Sequence, residues 1–482
     1  MDFSSLNDIF NLSEKKIVNC VEAHDFEQAI KWMTVRSNLL YESNILFVDD
    51  IIENNLNTVF SKPLINATND IDGEKSNYRL AFVDVVSKDR RGLSNQYVDA
   101  LIENGVEFLY VTENPFFEHT EIYQHIKEYK RAAWRIVPAF RNSIDKANYI
   151  YKAIMEFAPD KVLCHLLPWS IPTVVALSAL PKQIIKININ ITDHAYWAGA
   201  SIMDYNIEFR NFGKKLSIHQ RGFQDTQEFV LPYYPYIDAS SFEGFAGIDT
   251  KDKVILCWGG ALYKIYGEDD FFLKLIAKIL KKHPNCICIC AGGGEAKHLL
   301  SFIKKEGLEK VWHYLGFRKD IFQIVCRCDI FINTYPIGGG LMCQYAAICS
   351  KPVIAFAKSR VIEEVLSTTE DVTFMKEEDL LNYVDILINN KHLREEFGRR
   401  LNENLPTPSH FNNEFKGIVE SCSIPNSLTY TLRKSSPNVI EKKHSYSCES
   451  VLLKSLGLKS ALYYHKIIPW TIKQIIRGIR ST

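Results

Sequence analysis

The sequence lacks any long apolar run. Its longest apolar stretch, from Leu166 to Leu180, is short for a membrane span and contains two prolines. The opening residues, MDFSSLNDIF, lack the basic segment and apolar core of a secretory signal peptide. We therefore expect no membrane span, no signal peptide and a cytoplasmic location.

Excess charge and paired-cysteine motifs are missing as well. The 57 basic residues balance the 57 acidic ones, so no overall charge attracts nucleic acid, and we expect no nucleic-acid partner. None of the 12 cysteines forms a CxxC motif, which argues against zinc and redox sites. Cys286, Cys288 and Cys290 alternate, and on a strand they would share one face. We interpret them as buried, reduced thiols, which suits a reducing cytoplasm.

What the sequence does contain is a repeated alternation of strand and helix patterns. Six apolar strand patterns from Tyr78 to Ile191 alternate with helical ones, and a second series restarts at Val254. The prolines of LPYYPYID mark the connection between the two series. The fold class is α/β, with two Rossmann-like doubly wound domains. The predicted domains are an N-terminal helical extension (1–75), a first Rossmann-like acceptor domain (76–240), a second Rossmann-like donor domain (250–408) and C-terminal helices (409–482).

A glycine loop late in the second series is the strongest candidate for a ligand site. Residues 330–333 form a short apolar strand, followed by Thr334, and Gly338, Gly339 and Gly340 then lead into a helix from about Leu341. Glycines allow backbone amides to approach an oxyanion, and a helix start favours negative charge. The alternative is a tight connection without a ligand, since the spacing is not GxGxxG.

A diphosphate at this loop would need more positive charge than backbone amides supply. Lys264, in the segment GGALYKIYGED after the first strand of the second domain, is the candidate, together with Gly259 and Gly260. The nearby carboxylates of residues 268–270 suggest a metal site as an alternative, but they fit the start of a helix better. We therefore expect no metal and no other cofactor.

Two strand ends of the first domain carry candidate catalytic residues. His194 follows the apolar segment IIKININI, with Asp193 beside it, and is the first choice for a general base. Asp193 and Asp89 are the alternates, and His165 is a weaker candidate. A hydrogen-bonded structural histidine is the competing interpretation of His194.

Two further segments are polar or basic. We expect the residues from Asp204 to Phe223 to lie at a surface or cleft, or simply to form a solvated face. Residues 451–482 contain six basic residues and no acidic one, mixed with apolar side chains. This composition is typical of an interfacial helix on an anionic membrane, on the inner face of which the protein would be peripheral, or of a helix packed on the protein.

The domain pattern and two motifs together resemble glycosyltransferases of the GT-B fold. The segments LYKI (residues 262–265) and CDIFINTYPIGGGLMCQYAAICSKPVIAF resemble the inverting, metal-independent branch that contains O-linked N-acetylglucosamine transferase. In that branch a lysine in a similar context contacts the donor diphosphate, which implies this role for Lys264. Where the branch has a histidine and two threonines, this chain has Gly339, Gly340 and Leu341, so backbone amides would contribute more.

The resemblance implies an inverting hexosyl- or N-acetylhexosaminyltransferase. It would move a sugar from a nucleoside diphosphate donor, expected to be a UDP-sugar, to a hydroxyl of a glycan or lipid-linked acceptor in surface (capsule-type) polysaccharide biosynthesis. Two alternatives stay open: a catalytically inactive GT-B partner subunit that binds sugar or nucleotide, and a GT-B nucleotide-sugar epimerase.

Overall fold

The computed structural model describes most of the chain up to residue 421. The described residues are 3–60, 79–89, 93–237, 240–245, 247–357, 365–366 and 372–421. The basic segment 451–482 lies outside them, as do residues 90–92 of the first loop and residues 61–75 of the predicted extension. The membrane-binding prediction for 451–482 therefore stays a prediction.

The described chain forms two compact units, divided at Leu231 and Pro232. Residues 414–421 belong to the first unit, which begins with the helices of the predicted N-terminal extension. Those helices share a hydrophobic core with the first sheet, because Ile30 and Leu40 belong to the same buried cluster as Val83 of its first strand. The predicted domain borders at 240–250 and 408 lie close to these divisions and stay predictions.

The first unit is built on a parallel sheet of seven strands in the order β3-β2-β1-β4-β5-β6-β7. Apolar side chains fill β1, β2, β4 and β5, as expected for strands covered by helices on both faces. The strands are β1 (Arg79–Asp84), β2 (Glu107–Thr112), β3 (Ala132–Ile136), β4 (Lys161–His165), β5 (Ile185–Ile189), β6 (Tyr205–Glu208) and β7 (Glu228–Val230).

Within the described residues, eight α-helices precede the second unit, and four of them begin with a side-chain cap. Asn142, for example, accepts hydrogen bonds from the first backbone amides of α6, those of Ile144 and Asp145. The helices are α1 (Phe3–Glu22), α2 (Phe26–Ser43), α3 (Asp50–Glu53), α4 (Ser94–Glu103), α5 (Glu121–Glu128), α6 (Ser143–Phe157), α7 (Ile171–Ser178) and α8 (Asn211–Gln220).

The second unit contains a parallel sheet of six strands in the order β10-β9-β8-β11-β12-β13. Its strands are β8 (Val254–Gly259), β9 (Cys286–Ala291), β10 (Trp312–Tyr314), β11 (Ile330–Ile332), β12 (Val353–Phe356) and β13 (Thr373–Phe374). The remaining helices are α9 (Phe271–Lys282), α10 (Lys297–Lys305), α11 (Ile321–Cys326), α12 (Gly340–Ile348), α13 (Glu377–Asn389), α14 (Lys391–Glu403) and α15 (Pro408–Ser421).

In both sheets the strand order reverses beside the first strand of the unit, between β1 and β4 and between β8 and β11. Ligands of doubly wound sheets bind outside the carboxyl ends of the strands at such a reversal. The fold prediction is confirmed: the chain is α/β with two Rossmann-like sheets. None of the helices in the described residues is both long and apolar enough to cross a membrane.

One expectation from the sequence needs correction. Six strands were expected between Tyr78 and Ile191, but that stretch contains five, β1 to β5, and the sheet is completed by β6, from the polar segment Asp204 to Phe223, and by β7. Cys326 and Cys349 form a disulfide, which the sequence pattern did not indicate. Cys286, Cys288 and Cys290 are free and buried, as expected.

Candidate functional site

The glycine loop connects β11 to α12, and the protein's own side chains hold it in shape. The Thr334 hydroxyl donates to the Ile337 carbonyl at 2.7 Å, and the Asn333 side-chain oxygen accepts from the Gly339 amide at 2.9 Å. Thr334 and Asn333 are buried. Thr334 thus shapes the loop, and the Gly339 amide already has a partner. The amides of the first helical turn, which begins at Gly340, have no acceptor within an α-helix and are the better anion donors.

Lys264 lies beside this loop. It belongs to a short 3-10 turn, Leu262–Ile265, that follows β8. Its Nζ lies 3.4 Å from the carbonyl oxygen of Gly338, and a Cβ on Gly339 would lie 3.6 Å from the same ammonium group. Burial lowers the pKa of Lys264. The structure therefore brings together the lysine and the glycines that the sequence singled out, about 74 residues apart in the chain.

The glycines near this site differ in what a side chain would meet. The atoms nearest to a Cβ on Gly339 would be those of Lys264 and Met342, at 3.6 Å or more, whereas a Cβ on Gly340 would lie 2.9 Å from the Tyr233 hydroxyl. At Gly292, in the turn after β9, a Cβ would lie 1.7 Å from the Gly260 carbonyl oxygen. Gly292 is therefore required by backbone packing, while a methyl group on Gly339 would fit at ordinary contact distance from Lys264.

The other predicted donor residues, Gly259, Gly260 and Leu341, belong to the packing around the site. A Cβ on Gly259 would lie 3.0 Å from the Met342 side chain, and Gly260 has a φ of +122°, which favours glycine. Leu341 is half-buried against the core of the second unit. Gln344, which the sequence reasoning did not single out, donates to the Tyr233 carbonyl at 2.8 Å and so fixes α12 to residues just after the first unit. In the sequence, Gln344 was marked only as a polar residue within an otherwise apolar helix.

In the first unit, His194 and Asp193 form a hydrogen-bonded pair beyond β5. The imidazole Nδ1 lies 3.2 Å from Asp193 Oδ1, and the His194 side chain is 46% exposed while that of Asp193 is buried. Burial favours a raised pKa for Asp193, but the charge of Arg210 and hydrogen bonds from His194 and Arg210 outweigh it and hold the pKa well below its usual range. Asp193 is therefore an ionised carboxylate without spare proton affinity, and the accessible base of the pair is His194.

Asp89 has a different environment. Its carboxylate accepts the backbone amides of Glu121 at 2.9 Å and Ile122 at 3.1 Å, the first residues of α5. A carboxylate in this position caps the helix and interacts with the positive end of its dipole. This structural task accounts for Asp89 without a catalytic role.

The weaker candidate, His165, is fully buried at the carboxyl end of β4. Its Nδ1 lies 2.9 Å from Asp84 at the end of β1, and Asp84 also accepts the Tyr110 hydroxyl at 2.6 Å. The Nε2 atom of His165 is buried and has no hydrogen-bond partner. Because a base must reach its substrate, the exposed His194 is better placed than His165.

A buried charged cluster beneath His194 was missed by the sequence reasoning. Glu208 at the end of β6 and Arg221 after α8 are buried, although the segment that contains them was expected at a surface or cleft. Arg221 Nη2 donates to the carbonyls of Asp193 at 2.9 Å and Ala195 at 2.8 Å. The polar segment therefore forms the support of the His194 loop. A possible signal was the recurrence of Asn and Glu at alternate positions, which places them on one strand face.

Comparison with known proteins agrees with this architecture. Residues 242–403 match the family model of glycosyl transferases group 1. None of the curated protein sequences gives a significant match. The chain is similar in fold to HepE from Anabaena, solved in complex with UDP and glucose, with a TM-score of 0.54 and 15% identity over 72% of this chain and 100% of HepE.

Two other solved structures are also similar. A mutant of the O-GlcNAc transferase from Thermobaculum terrenum matches with a TM-score of 0.53 and 14% identity, over 85% of this chain and 82% of the transferase. A putative UDP-N-acetylglucosamine 2-epimerase from Listeria monocytogenes matches with a TM-score of 0.51 and 11% identity, over 72% of this chain and 97% of the epimerase. The predicted resemblance to GT-B glycosyltransferases is confirmed, and at these identities the structures establish the fold.

Proposed function

We propose that this protein is an inverting glycosyltransferase that moves a hexosyl or N-acetylhexosaminyl group from a UDP-sugar to a hydroxyl of a glycan or lipid-linked acceptor, in the synthesis of a surface polysaccharide. The observation that carries the proposal is the position of the Lys264 ammonium group, 3.4 Å from the Gly338 carbonyl at the start of α12. The family match over residues 242–403 covers this site and supports the reaction class.

The donor diphosphate would bind at the start of α12. Its oxygens would accept hydrogen bonds from the amides of the first helical turn and a charge-assisted hydrogen bond from Lys264, beside Gly339. Since the lysine and the helix start supply the positive charge, the proposed chemistry uses no metal ion. Both groups act more strongly as the leaving diphosphate gains negative charge, which is the condition for accelerating the chemical step.

His194 would act on the acceptor. Its Nε2 accepts the proton of the acceptor hydroxyl while that oxygen forms a bond to the anomeric carbon of the sugar. The bond between the anomeric carbon and the diphosphate oxygen breaks, and its electron pair leaves with the nucleoside diphosphate. A single displacement of this kind inverts the anomeric configuration.

The proposal is tested by removing the lysine. We expect Lys264→Ala to fold normally but to lower turnover with UDP-sugars at least tenfold, because loss of an electrostatic stabiliser of the transition state costs roughly 2–4 kcal/mol. The matched control is Lys278→Ala, which removes an exposed lysine paired with Glu377 in the same unit. Circular dichroism verifies folding, and release of UDP measures turnover. Unchanged turnover of the Lys264 variant contradicts the assignment.

The same assay separates the two alternatives. UDP-sugar binding without turnover for any donor in a panel of nucleotide sugars favours an inactive GT-B partner subunit. Conversion of a UDP-N-acetyl sugar to a free epimerised sugar and UDP, with no dependence on an acceptor, favours an epimerase. Transfer to an added acceptor supports the proposal.

A further inference from the structure

The Asp193 carboxylate is bound by two different side chains. Arg210, the residue just before α8, donates from Nε to Oδ2 at 2.5 Å and from Nη2 to Oδ1 at 3.0 Å. The Nδ1 atom of His194 lies 3.2 Å from the same Oδ1. A two-pronged contact between a guanidinium and a carboxylate fixes both distance and orientation. Arg210 therefore determines where Asp193 points, and Asp193 in turn faces the His194 ring.

The ionisation of Asp193 determines which nitrogen of His194 carries the proton. A fully buried carboxylate without a counter-charge tends to bind a proton, but the charge of Arg210 keeps Asp193 ionised and its pKa low. An ionised carboxylate can only accept hydrogen bonds. In the neutral imidazole the proton must then lie on Nδ1, which leaves a lone pair on Nε2. Because the His194 side chain is 46% exposed, an acceptor hydroxyl can reach the ring.

We propose that Arg210 is a positioning residue that keeps the Asp193–His194 pair in the form required of a general base, with the proton on Nδ1 and a free lone pair on Nε2. The inference deepens the proposed function, because it rests on His194 as the base. Arg210 does not itself contact the reacting atoms.

Other charged groups around the pair have their own partners and cannot substitute for Arg210. Glu208 on β6 accepts from Ser217 at 2.6 Å and from Asn190 at 2.8 Å. Glu228 on β7 accepts from Asn206. Arg221, after α8, directs its guanidinium to the backbone carbonyls of the loop, including that of Asp193, rather than to the Asp193 carboxylate. Arg210 is thus the guanidinium whose two nitrogens hold the carboxylate among the described residues.

Loss of Arg210 should change the protonation of the pair. Without the charge of Arg210, the Asp193–His194 pair should bind one more proton at a given pH. When both nitrogens of the His194 ring are protonated, Nε2 has no lone pair. Removal of an opposite charge at this distance shifts a titration by about one pH unit or more. The pair should therefore take up its proton at a higher pH than in the wild type.

The test compares Arg210→Gln with Arg210→Lys and Lys214→Gln in the full-length protein. We expect Arg210→Gln to move the acidic limb of the pH–rate profile up by about one unit, with about a tenfold loss of turnover on that limb that is recovered at higher pH. Arg210→Lys restores the charge and should return the limb toward that of the wild type. Lys214→Gln removes a positive charge from α8 that pairs with the exposed Asp225, and should leave the profile unchanged.

Nitrogen NMR of ¹⁵N-histidine-labelled protein gives a readout that does not need activity. At a pH where the wild-type ring is neutral, His194 should show a protonated Nδ1 and an unprotonated Nε2, and Arg210→Gln should show Nε2 protonated at the same pH. A wild-type ring with the proton on Nε2 overturns the inference even if the variant fails to fold. A uniform loss of turnover at all pH values overturns it too, since that is the signature of a merely structural role.

The two proposals fail in different ways. If the NMR spectra behave as expected but His194→Ala transfers sugar at the wild-type rate, His194 is not the base and the proposed mechanism fails while the role of Arg210 stands. If His194→Ala is inactive but Arg210→Gln leaves the Nε2 signal unchanged, the mechanism stands and the inference about Arg210 fails.

Discussion

The residues at the carboxyl ends of the strands differ between the two sheets. In the first sheet, β1 ends at Asp84, β4 at His165 and β6 at Glu208, all of them buried. In the second sheet, β8 ends at Gly259 and β9 is followed by Gly292. The first edge contains paired charged side chains, whereas the second contains glycines together with Lys264. Paired charges orient a base, whereas bare backbone admits an anion.

The largest test of this contrast removes a buried charge from the first edge. Asp84→Ala leaves His165 and Tyr110 without their acceptor, and we expect a loss of about 3–5 kcal/mol in the free energy of unfolding because one partner of a buried pair is removed. The measurement is urea denaturation of the full chain.

The control for this variant is Glu403→Ala, which removes a carboxylate of the second unit. Its ion pair with Arg399 lies at the surface, and such pairs contribute about 0–1 kcal/mol. Equal losses of unfolding free energy in the two variants would show that the buried charges of the first edge stabilise the fold no more than a surface ion pair does.

A second comparison asks which glycines of the second edge serve packing and which serve binding. Gly292→Ala places a Cβ 1.7 Å from the Gly260 carbonyl oxygen, so we expect a loss of about 1–3 kcal/mol or more in unfolding free energy. Gly339→Ala meets only side-chain atoms at 3.6 Å or more, and its unfolding free energy should change by less than about 1 kcal/mol.

UDP binding to the same two variants completes this comparison. The methyl group of Gly339→Ala occupies the space beside Lys264, so UDP affinity, measured by isothermal titration calorimetry, should fall about tenfold without loss of stability. A Gly339 variant that binds UDP as tightly as the wild type would show that the diphosphate does not bind beside Gly339.

The last comparison concerns a pH dependence that belongs to the first unit. Burial, together with repulsion from Glu208, raises the pKa of Glu228 to about 9, against a usual value of 4.5. The folded chain therefore keeps a proton that the unfolded chain releases, so stability is highest below about pH 4.5 for this group and falls as the pH rises towards 9. Glu228→Gln, which retains an oxygen for Asn206, should flatten the decline in urea midpoint over this range. A decline of the same slope in both proteins would contradict the assignment.

Apolar pattern made much of the architecture predictable from the sequence. The strand pattern that restarts at Val254 and the helix from about Leu341 were placed correctly, because each is an apolar stretch with a clear boundary. The pairing of Lys264 with the glycine loop could also be anticipated, because both follow strands of one parallel sheet and such ends meet at one edge.

The missed features share one physical cause: their polar groups are satisfied by partners distant in sequence. β6 contains Asn206 and Glu208, which look solvated in the sequence, but Asn206 Nδ2 donates to Glu208 at 2.8 Å and to Glu228 at 3.0 Å. Likewise, nothing in the neighbouring sequence shows that Asp89 caps α5 or that Arg210 donates hydrogen bonds to Asp193. Such roles depend on three-dimensional neighbours that a hydrophobic pattern does not encode.

The half-buried position of Lys264 has a consequence for the energetics of the proposed reaction cycle. Partial removal of water disfavours its ammonium form, and a donor diphosphate bound beside it would favour that form again. In the proposed cycle, nucleotide binding would therefore raise the pKa of Lys264, and departure of the nucleotide would lower it again. Alkaline conditions that deprotonate the amine would weaken nucleotide binding, so that substrate retention and product discharge would respond to a single titrating amine.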